Sequence, residues 1–88
     1  MKVVYLKGFE KDLSKINNKK IAIALKVLLE NIENANTLTE IPNIKKLKGH
    51  KNAYRIRLGN FRIGLFYQSN QLILAAFDSR KDIYKKFP

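Results

Sequence analysis

The amino-acid sequence predicts an α+β fold, in which an N-terminal strand and a two-helix hairpin precede a three-stranded antiparallel meander and a short C-terminal helix. Apolar residues recur with a helical period between residues 9 and 34, and they alternate with polar residues between residues 53 and 77. Two-residue turn signals divide the alternating segments, which indicates consecutive hairpins. We therefore expect one twisted sheet with its helices on one face.

The N-terminal part supplies one strand and two helices. Residues Lys2–Leu6 are mostly β-branched, apolar or aromatic, as is typical of a short strand. A first helix is predicted next, because apolar residues recur at an i, i+4, i+7 spacing, at Phe9, Leu13 and Ile16. Asn17 and Asn18 interrupt the pattern, and a second helix is predicted from about Lys19 to Asn34. Two helices with so short a break favour a helical hairpin.

The remaining chain supplies the meander. The polar segment Asn34–Asn43 is predicted to be a loop, and residues 44–52 a basic connector. Gly59-Asn60 and Ser69-Asn70 are two-residue turn signals. They divide three predicted strands, at residues 53–58, 61–67 and 71–77, and Arg80–Phe87 is expected to close the chain as a short helix or turn.

The composition bounds the function. Eighty-eight residues are expected to form a single domain, 1–88, with one core. The chain has no cysteine and one histidine, His50, so disulfides, thiolate sites and multi-histidine metal sites are excluded, and no cofactor is expected. No apolar run resembles a signal peptide or approaches the roughly 20 residues of a membrane span, so we expect a cytoplasmic protein with no membrane partner. The net charge of +11 favours a polyanionic partner such as nucleic acid, the ribosome or an acidic protein.

Arginine is concentrated in one hairpin of a lysine-rich chain. Of the 18 Lys and Arg residues only four are arginine, and three of these lie in the first predicted hairpin. Pairing its strands sets Arg57 opposite Arg62 and Arg55 opposite Gly64. All four lie on the sheet face away from the helices, which we call the arginine face. Two charges about 6 Å apart repel by roughly 0.7–3 kcal/mol for effective dielectric constants of about 80 to 20. Because arginine grips phosphate with a planar fork, we interpret this face as a phosphate-binding surface, and a solvated sheet face is the alternative.

Two further features allow a structural or a functional interpretation. Gly64 weakens a strand interior, and such a glycine often marks the close approach of another chain or a ligand. Arg80 and Tyr84 are four residues apart and share one face of a helical turn. The alternative for Tyr84 is a core aromatic, with Ile83 and Phe87 anchoring the tail against the sheet.

Four short motifs combine these features: Leu47-Lys48-Gly49, Tyr54-Arg55-Ile56-Arg57-x-Gly59, Phe61-Arg62-Ile63 and Arg80-Lys81-Asp82-Ile83-Tyr84. Together they resemble the RelE/ParE superfamily of toxins from bacterial type II toxin–antitoxin systems, and the similarity extends over nearly the whole chain. The resemblance implies a RelE-like α+β toxin that a cognate antitoxin holds inactive. The antitoxin is expected to be acidic or amphipathic, to wrap the helices or cover the arginine face, and to fold on binding.

The resemblance favours the RelE-like branch, whose members cleave messenger RNA in the ribosomal decoding site. It implies a ribosome-dependent mRNA endoribonuclease, an mRNA interferase, in which the ribose 2′-OH attacks the adjacent phosphate without a metal. The expected partners are the ribosome, mRNA and the antitoxin. One alternative is a ParE-like toxin that poisons DNA gyrase, and another is an inactive relative that only binds antitoxin or nucleic acid.

Residue by residue, the resemblance assigns catalysis to Arg57, Arg62, Arg80 and Tyr84. RNA binding is expected from Arg55 and from four lysines, Lys46, Lys48, Lys51 and Lys81. The arginines would stabilise the phosphorane charge, and Tyr84 would stack on a base, position the phosphate or transfer a proton. Many relatives have histidine where this chain has Ser79. Arginine, with a pKa of about 12.5–13.8, stays protonated, so the candidate proton acceptors are Tyr84, Asp78 and His50.

Overall fold

The computed structural model describes residues 1–88 and confirms the α+β class, with two helices and a five-stranded mixed sheet. The strands are β1 (Lys2–Tyr5), β2 (Ile44–Lys46), β3 (Ala53–Leu58), β4 (Phe61–Gln68) and β5 (Gln71–Ser79), and the helices are α1 (Lys7–Leu13) and α2 (Lys19–Asn34). Two short 3-10 helices span Leu38–Glu40 and Asp82–Lys85. The strand order is β1-β5-β4-β3-β2, with β1 parallel to β5 and all other pairs antiparallel.

Two consecutive helices form as predicted, but α1 ends at Leu13, so Ile16 of the predicted apolar face lies beyond the helix. The asparagines that interrupt the pattern separate the helices, and the side chain of Asn18 caps α2 by accepting a hydrogen bond from the Ile21 backbone N–H at 3.1 Å. The inward faces of the two helices pack on the sheet through buried residues, with Phe9 from α1 and Leu25, Leu28 and Ile32 from α2. None of the helices combines the length and apolarity that crossing a membrane demands.

Both predicted hairpins form, and the register of the first is confirmed. Arg57 lies opposite Arg62, and Arg55 lies opposite Gly64. Gly59 supplies the left-handed backbone conformation that the first turn position requires, with φ +58°. The β4–β5 turn uses two left-handed residues, Ser69 and Asn70, with φ of 53° and 58°.

The connector predicted over residues 44–52 is wrong in its first part, because Ile44–Lys46 forms the edge strand β2 on β3. Three residues, two of them lysine, are too few to show an alternating pattern, and their conformation follows from hydrogen bonding to β3. Short, lysine-rich strands are common at sheet edges, where they discourage pairing with another chain. The pairing places Lys45 opposite Arg55 and therefore on the arginine face of the sheet.

The C-terminal segment, residues 80–88, covers part of the arginine face of the sheet. It lies across this face and buries Ile83 and Phe87 against Ala53 and Ala76. The phenyl ring of Phe87 stands directly over Gly64, where a Cβ atom would collide with it. One half of this face is therefore small and apolar under the C-terminal segment, and the other half carries the arginines.

Candidate nucleic-acid interface

The arginine face forms one wall of an open cleft of about 770 Å³, which we call the arginine cleft. Residues of strands β2, β3 and β4 form this wall, and the C-terminal segment forms the opposite one. Its lining residues are Asn43, Ile44, Lys45, Arg55, Arg57, Arg62, Arg80, Lys81 and Tyr84. The volume falls within the range of about 300–1,000 Å³ that is usual for ligand-binding clefts.

The positive charge of this cleft is uncompensated. Its lining includes six cationic side chains and no carboxylate. The ion pairs of the protein involve only Lys85 and Lys86, so no arginine is paired with an acid. Partial burial, followed by the charges of Arg80, Arg57 and Arg55, lowers the pKa of Arg62. A bound anion would remove this repulsion, and phosphate is the anion that an arginine fork fits best.

Local hydrogen bonds hold Arg62 at the base of the cleft, and a weaker contact orients Arg57. The Arg62 Nη1 atom donates to the backbone oxygens of Gly59 at 3.0 Å and Phe61 at 2.9 Å. The Arg57 Nη2 atom approaches the Asn43 Oδ1 atom at 3.5 Å, the outer limit of a hydrogen bond. Both guanidinium groups keep further N–H donors that these contacts do not use.

Tyr84 stands at the boundary between the apolar and the cationic halves of the face. Its side chain is 66% exposed, and the Arg55 Cζ atom lies 4.8 Å from its ring centroid in a cation–π contact. Interaction with Arg55, followed by the charges of Arg62 and Arg80, lowers the pKa of the Tyr84 hydroxyl. Its exposure contradicts the alternative of a core aromatic, whereas Ile83 and Phe87 do anchor the tail.

The structure brings together six of the nine predicted site residues, namely Arg55, Arg57, Arg62, Arg80, Lys81 and Tyr84. The other three do not line the arginine cleft: Lys46 at the end of β2, and Lys48 and Lys51 in the basic loop that follows, lie with His50 around a separate pocket.

Three cleft residues were not predicted from the sequence, namely the apolar Ile44 and the polar Lys45 and Asn43. Lys45 and Lys46 are adjacent residues of an edge strand, so their side chains point to opposite faces. Only the pairing of β2 with β3 shows that Lys45 faces the cleft. Asn43 has a left-handed backbone, with φ of 61°, which asparagine tolerates well, and no pattern in the sequence places it at the cleft.

The glycine in β4 has a structural explanation. Gly64 was interpreted as a place of close approach by another chain or a ligand, and the group that approaches is the chain's own Phe87 ring. Phe87 also contacts Phe66, with ring centroids 5.0 Å apart. Because Gly64 has no side chain, the Phe87 ring can pack directly on β4. This contact holds the C-terminal segment, which carries Arg80 and Tyr84, against the sheet.

The three candidate proton acceptors occupy different places. Asp78 accepts hydrogen bonds from Lys86 and from the backbone N–H of Ser79, and these outweigh burial and lower the pKa of Asp78. His50 lies in the separate basic loop. Tyr84 is therefore the only one of the three that lines the arginine cleft. No cluster of three or more His, Cys, Asp or Glu residues suitable for a metal ion is present in residues 1–88.

Comparison with known proteins finds close relatives over the full length. The chain is 40% identical over 89 aligned positions to the toxin RelE3 of Methanocaldococcus jannaschii, with all of both chains covered. It superimposes on a chain of the RelB–RelE antitoxin–toxin complex of Methanococcus jannaschii with a TM-score of 0.82 and 38% identity, covering 97% of this chain and 99% of the other. The archaeal RelE–RelB complex of Pyrococcus horikoshii OT3 shares the fold, with a TM-score of 0.68, 20% identity and coverage of 90% and 93%. No family model matches the sequence.

Proposed function

The chain belongs to the RelE family of toxins from toxin–antitoxin systems, and from this membership we propose that the arginine cleft is where it cleaves messenger RNA. RelE toxins are ribosome-dependent endoribonucleases of mRNA, and this chain is an endoribonuclease of that family. Membership of the RelE family decides against the ParE-like alternative. The single observation that supports the location is the convergence of four unpaired arginines and Tyr84 on one cleft.

The cleft suits a phosphodiester in the act of cleavage. In the proposed reaction the ribose 2′-oxygen bonds to the adjacent phosphorus, and the bond from phosphorus to the 5′-oxygen breaks. The 5′-oxygen takes up a proton from water as it leaves, so the products are a 2′,3′-cyclic phosphate and a free 5′-hydroxyl. The phosphorane in between carries more negative charge than the substrate, and the guanidinium groups of Arg57, Arg62 and Arg80 stabilise that extra charge. Groups held in place before the reaction need no reorganisation when the charge develops, which is how such sites lower the barrier.

Tyr84 is the proposed proton acceptor of the 2′-hydroxyl. It is the only candidate acceptor that lines the cleft, and the neighbouring arginines lower the pKa of its hydroxyl, so a larger fraction is ionised than for an ordinary tyrosine. One face of its ring contacts Arg55, and its exposure leaves surface on which an RNA base can stack. Arg55, Lys45 and Lys81 are proposed to bind the flanking phosphates.

The protein partner is a cognate antitoxin, as in the RelB–RelE complexes of the relatives. We expect its contact segment to be acidic, because the cleft presents six cations and no acid. A segment that covers the cleft would block RNA by the same charges that bind RNA. A cytoplasmic location follows from the proposed action on translating ribosomes.

The test is cleavage of mRNA in a translating extract, mapped by primer extension. Wild-type protein should cut translated mRNA and leave the same RNA intact when translation is absent. Arg62→Ala and Arg57→Ala should each lower the cleavage rate by about 100-fold, because each removes one donor to the developing charge. In Tyr84→Phe the hydroxyl is lost and the ring is kept, so the rate should fall and the rise of rate with pH should disappear.

Lys20→Ala is the matched control, since it removes one exposed positive charge from α2, which packs on the opposite face of the sheet. It should cleave at the wild-type rate. The proposal fails if the arginine variants cleave as fast as this control, or if wild-type protein arrests growth while translated mRNA stays intact.

A further inference from the structure

A three-residue ion cluster lies outside the arginine cleft and holds the C-terminal segment. The Lys86 Nζ atom is 2.9 Å from the Asp12 Oδ1 atom and 3.0 Å from the Asp78 Oδ2 atom. The three residues come from α1, from the end of β5 and from the C-terminal segment. None of them lines the arginine cleft, so the mechanism above assigns them no role.

Asp12 is bound at both oxygens. Its Oδ2 atom accepts a hydrogen bond from the backbone N–H of Phe77 at 3.0 Å. This part of β5 lies beyond the residues paired with β1, which end at Leu74, so the N–H would otherwise stay unpaired at the sheet edge. The Asp12 side chain is only 12% exposed, and the pair it forms with Lys86 is correspondingly shielded from solvent. Asp12 therefore joins α1 to β5, and Lys86 joins the C-terminal segment to both.

The other anchors of the C-terminal segment are a backbone hydrogen bond at its start, from the Arg80 N–H to the Asn60 carbonyl oxygen at 2.8 Å, and apolar contacts further along. Ile83 and Phe87 are buried against the sheet, and apolar contacts of this kind are non-directional. A charge-assisted hydrogen bond is directional and short, so the contacts of Lys86 orient the end of the segment that follows Tyr84. Tyr84 lies between Ile83 and Lys86 in the chain, and its side chain is exposed apart from the contact with Arg55.

We propose that Lys86, held by Asp12 and Asp78, is a positioning residue that turns the C-terminal segment so that Tyr84 rests against Arg55 in the arginine cleft. Its part in catalysis rests on the function proposed above. Its part in placing Tyr84 is a property of the fold and can be measured without activity.

The kinetic test compares Lys86→Met with Lys85→Met in ribosome-dependent cleavage. Methionine keeps most of the apolar stem and removes the charge. Lys85 is the matched control, because it is 81% exposed and its one ion pair is a 3.6 Å contact with Asp82. Lys86→Met should lower kcat by about 10-fold to 100-fold through misplacement, with KM within about twofold of wild type. Lys85→Met should cleave like wild type, and Lys86→Arg, which keeps the charge, should recover part of the rate.

A double substitution separates positioning from general stability. If Lys86 acts through Tyr84, Lys86→Met should have little further effect on the rate in a Tyr84→Ala background. An equal loss of rate in both backgrounds overturns the proposal, and so does a change confined to KM. Asp78→Asn, which weakens the same cluster from the β5 side, serves as a second variant if Lys86→Met does not fold.

An NMR measurement distinguishes failure of this proposal from failure of the proposed function. Nuclear Overhauser contacts between the Tyr84 ring and the Arg55 side chain should be present in wild type and in Lys85→Met, and lost in Lys86→Met. If wild-type protein does not cleave mRNA, the nuclease assignment fails while these contacts still decide the role of Lys86. Contacts that persist unchanged in folded Lys86→Met overturn the positioning role, whatever the activity.

Discussion

Replacing Gly64 with alanine should lift the C-terminal segment off the sheet. A Cβ atom built on Gly64 would lie 2.5 and 2.7 Å from the two Cδ atoms of Phe87, and the Cγ atom would be nearer still. Real Cβ atoms essentially never approach other heavy atoms below 3.0 Å. Phe87 cannot swing aside easily, because it is buried and packs against Phe66 at 5.0 Å between ring centroids.

The expected cost is that of overpacking a well-filled site, about 1–3 kcal/mol of unfolding free energy. A small domain has only about 5–15 kcal/mol in total. For a domain of this size each kcal/mol shifts Tm by about 4–8 °C, so Gly64→Ala should lower Tm by about 4–24 °C. Cleavage of mRNA should fall as well, since the displaced segment carries Arg80 and Tyr84.

Thermal unfolding followed by far-UV circular dichroism measures the effect, with Gly8→Ala as the matched control. Gly8 lies in α1, and the nearest atom to an added Cβ there is the Ala75 carbonyl oxygen at an ordinary 3.5 Å. Alanine favours the helix, so Gly8→Ala should raise stability by about 0.5–1 kcal/mol. The two glycine-to-alanine changes should thus move Tm in opposite directions.

A Gly64→Ala protein with wild-type Tm would refute the reasoning. The combination with Phe87→Ala is a stricter test, because the smaller side chain leaves room for the added methyl group. In that background Gly64→Ala should cost much less than in wild type, and additive losses would show that the Phe87 ring is not what the glycine accommodates.

Two further predictions concern charged groups. Lys45→Ala should weaken binding of single-stranded RNA and reduce the slope of log K against log salt concentration by about 0.7, whereas Lys46→Ala should change neither. Fluorescence anisotropy titrations between about 50 and 200 mM salt measure both quantities. Equal effects of the two substitutions would contradict the sheet faces assigned to Lys45 and Lys46. The folded-state pKa of Asp78 is lowered from 3.8, so its stabilisation is present above that value and is lost as the pH falls through the lower folded value. The hydrogen bonds to acids outweigh burial and raise the pKa of Lys86 above 10.5, so its stabilisation is present below 10.5 and is lost as the pH rises through the higher folded value. The Tm difference between wild type and Lys86→Met should therefore be largest between about pH 5 and pH 10 and should shrink on both sides, and a difference independent of pH would contradict the ion cluster.

The parts of the fold that local pattern specifies could be predicted from the sequence. Gly59-Asn60 fixes the turn of the first hairpin, and the two-residue alternation of a strand then fixes every facing pair. The pairing of Arg57 with Arg62 could therefore be predicted from the sequence. The two helices followed from apolar spacing in the same way, apart from the C-terminal end of α1. The resemblance to RelE toxins added the C-terminal residues of the cleft, which no local pattern connects to the hairpin.

The parts that depend on distant pairing could not be predicted. β2 is a strand because β3 offers it hydrogen bonds, and its three residues show no pattern of their own. Without that strand it was undetermined which of Lys45 and Lys46 points to the arginine face. Lys46 was therefore predicted to bind RNA, whereas Lys45 is the lysine that lines the cleft. The contact that explains Gly64 joins residues in different elements, and only the folded chain shows it.

The parallel pairing of β1 with β5 has a consequence for how the protein becomes active during its own synthesis. Lys2 lies opposite Gln71, and Arg80 and Tyr84 come later still in the chain. β1 is therefore synthesised well before its partner β5, and contacts of such large sequence separation form slowly. A nascent chain lacks the complete sheet and the complete cleft until β5 and the residues through Tyr84 have been translated. Until that point the chain has no complete arginine cleft with which to attack a message.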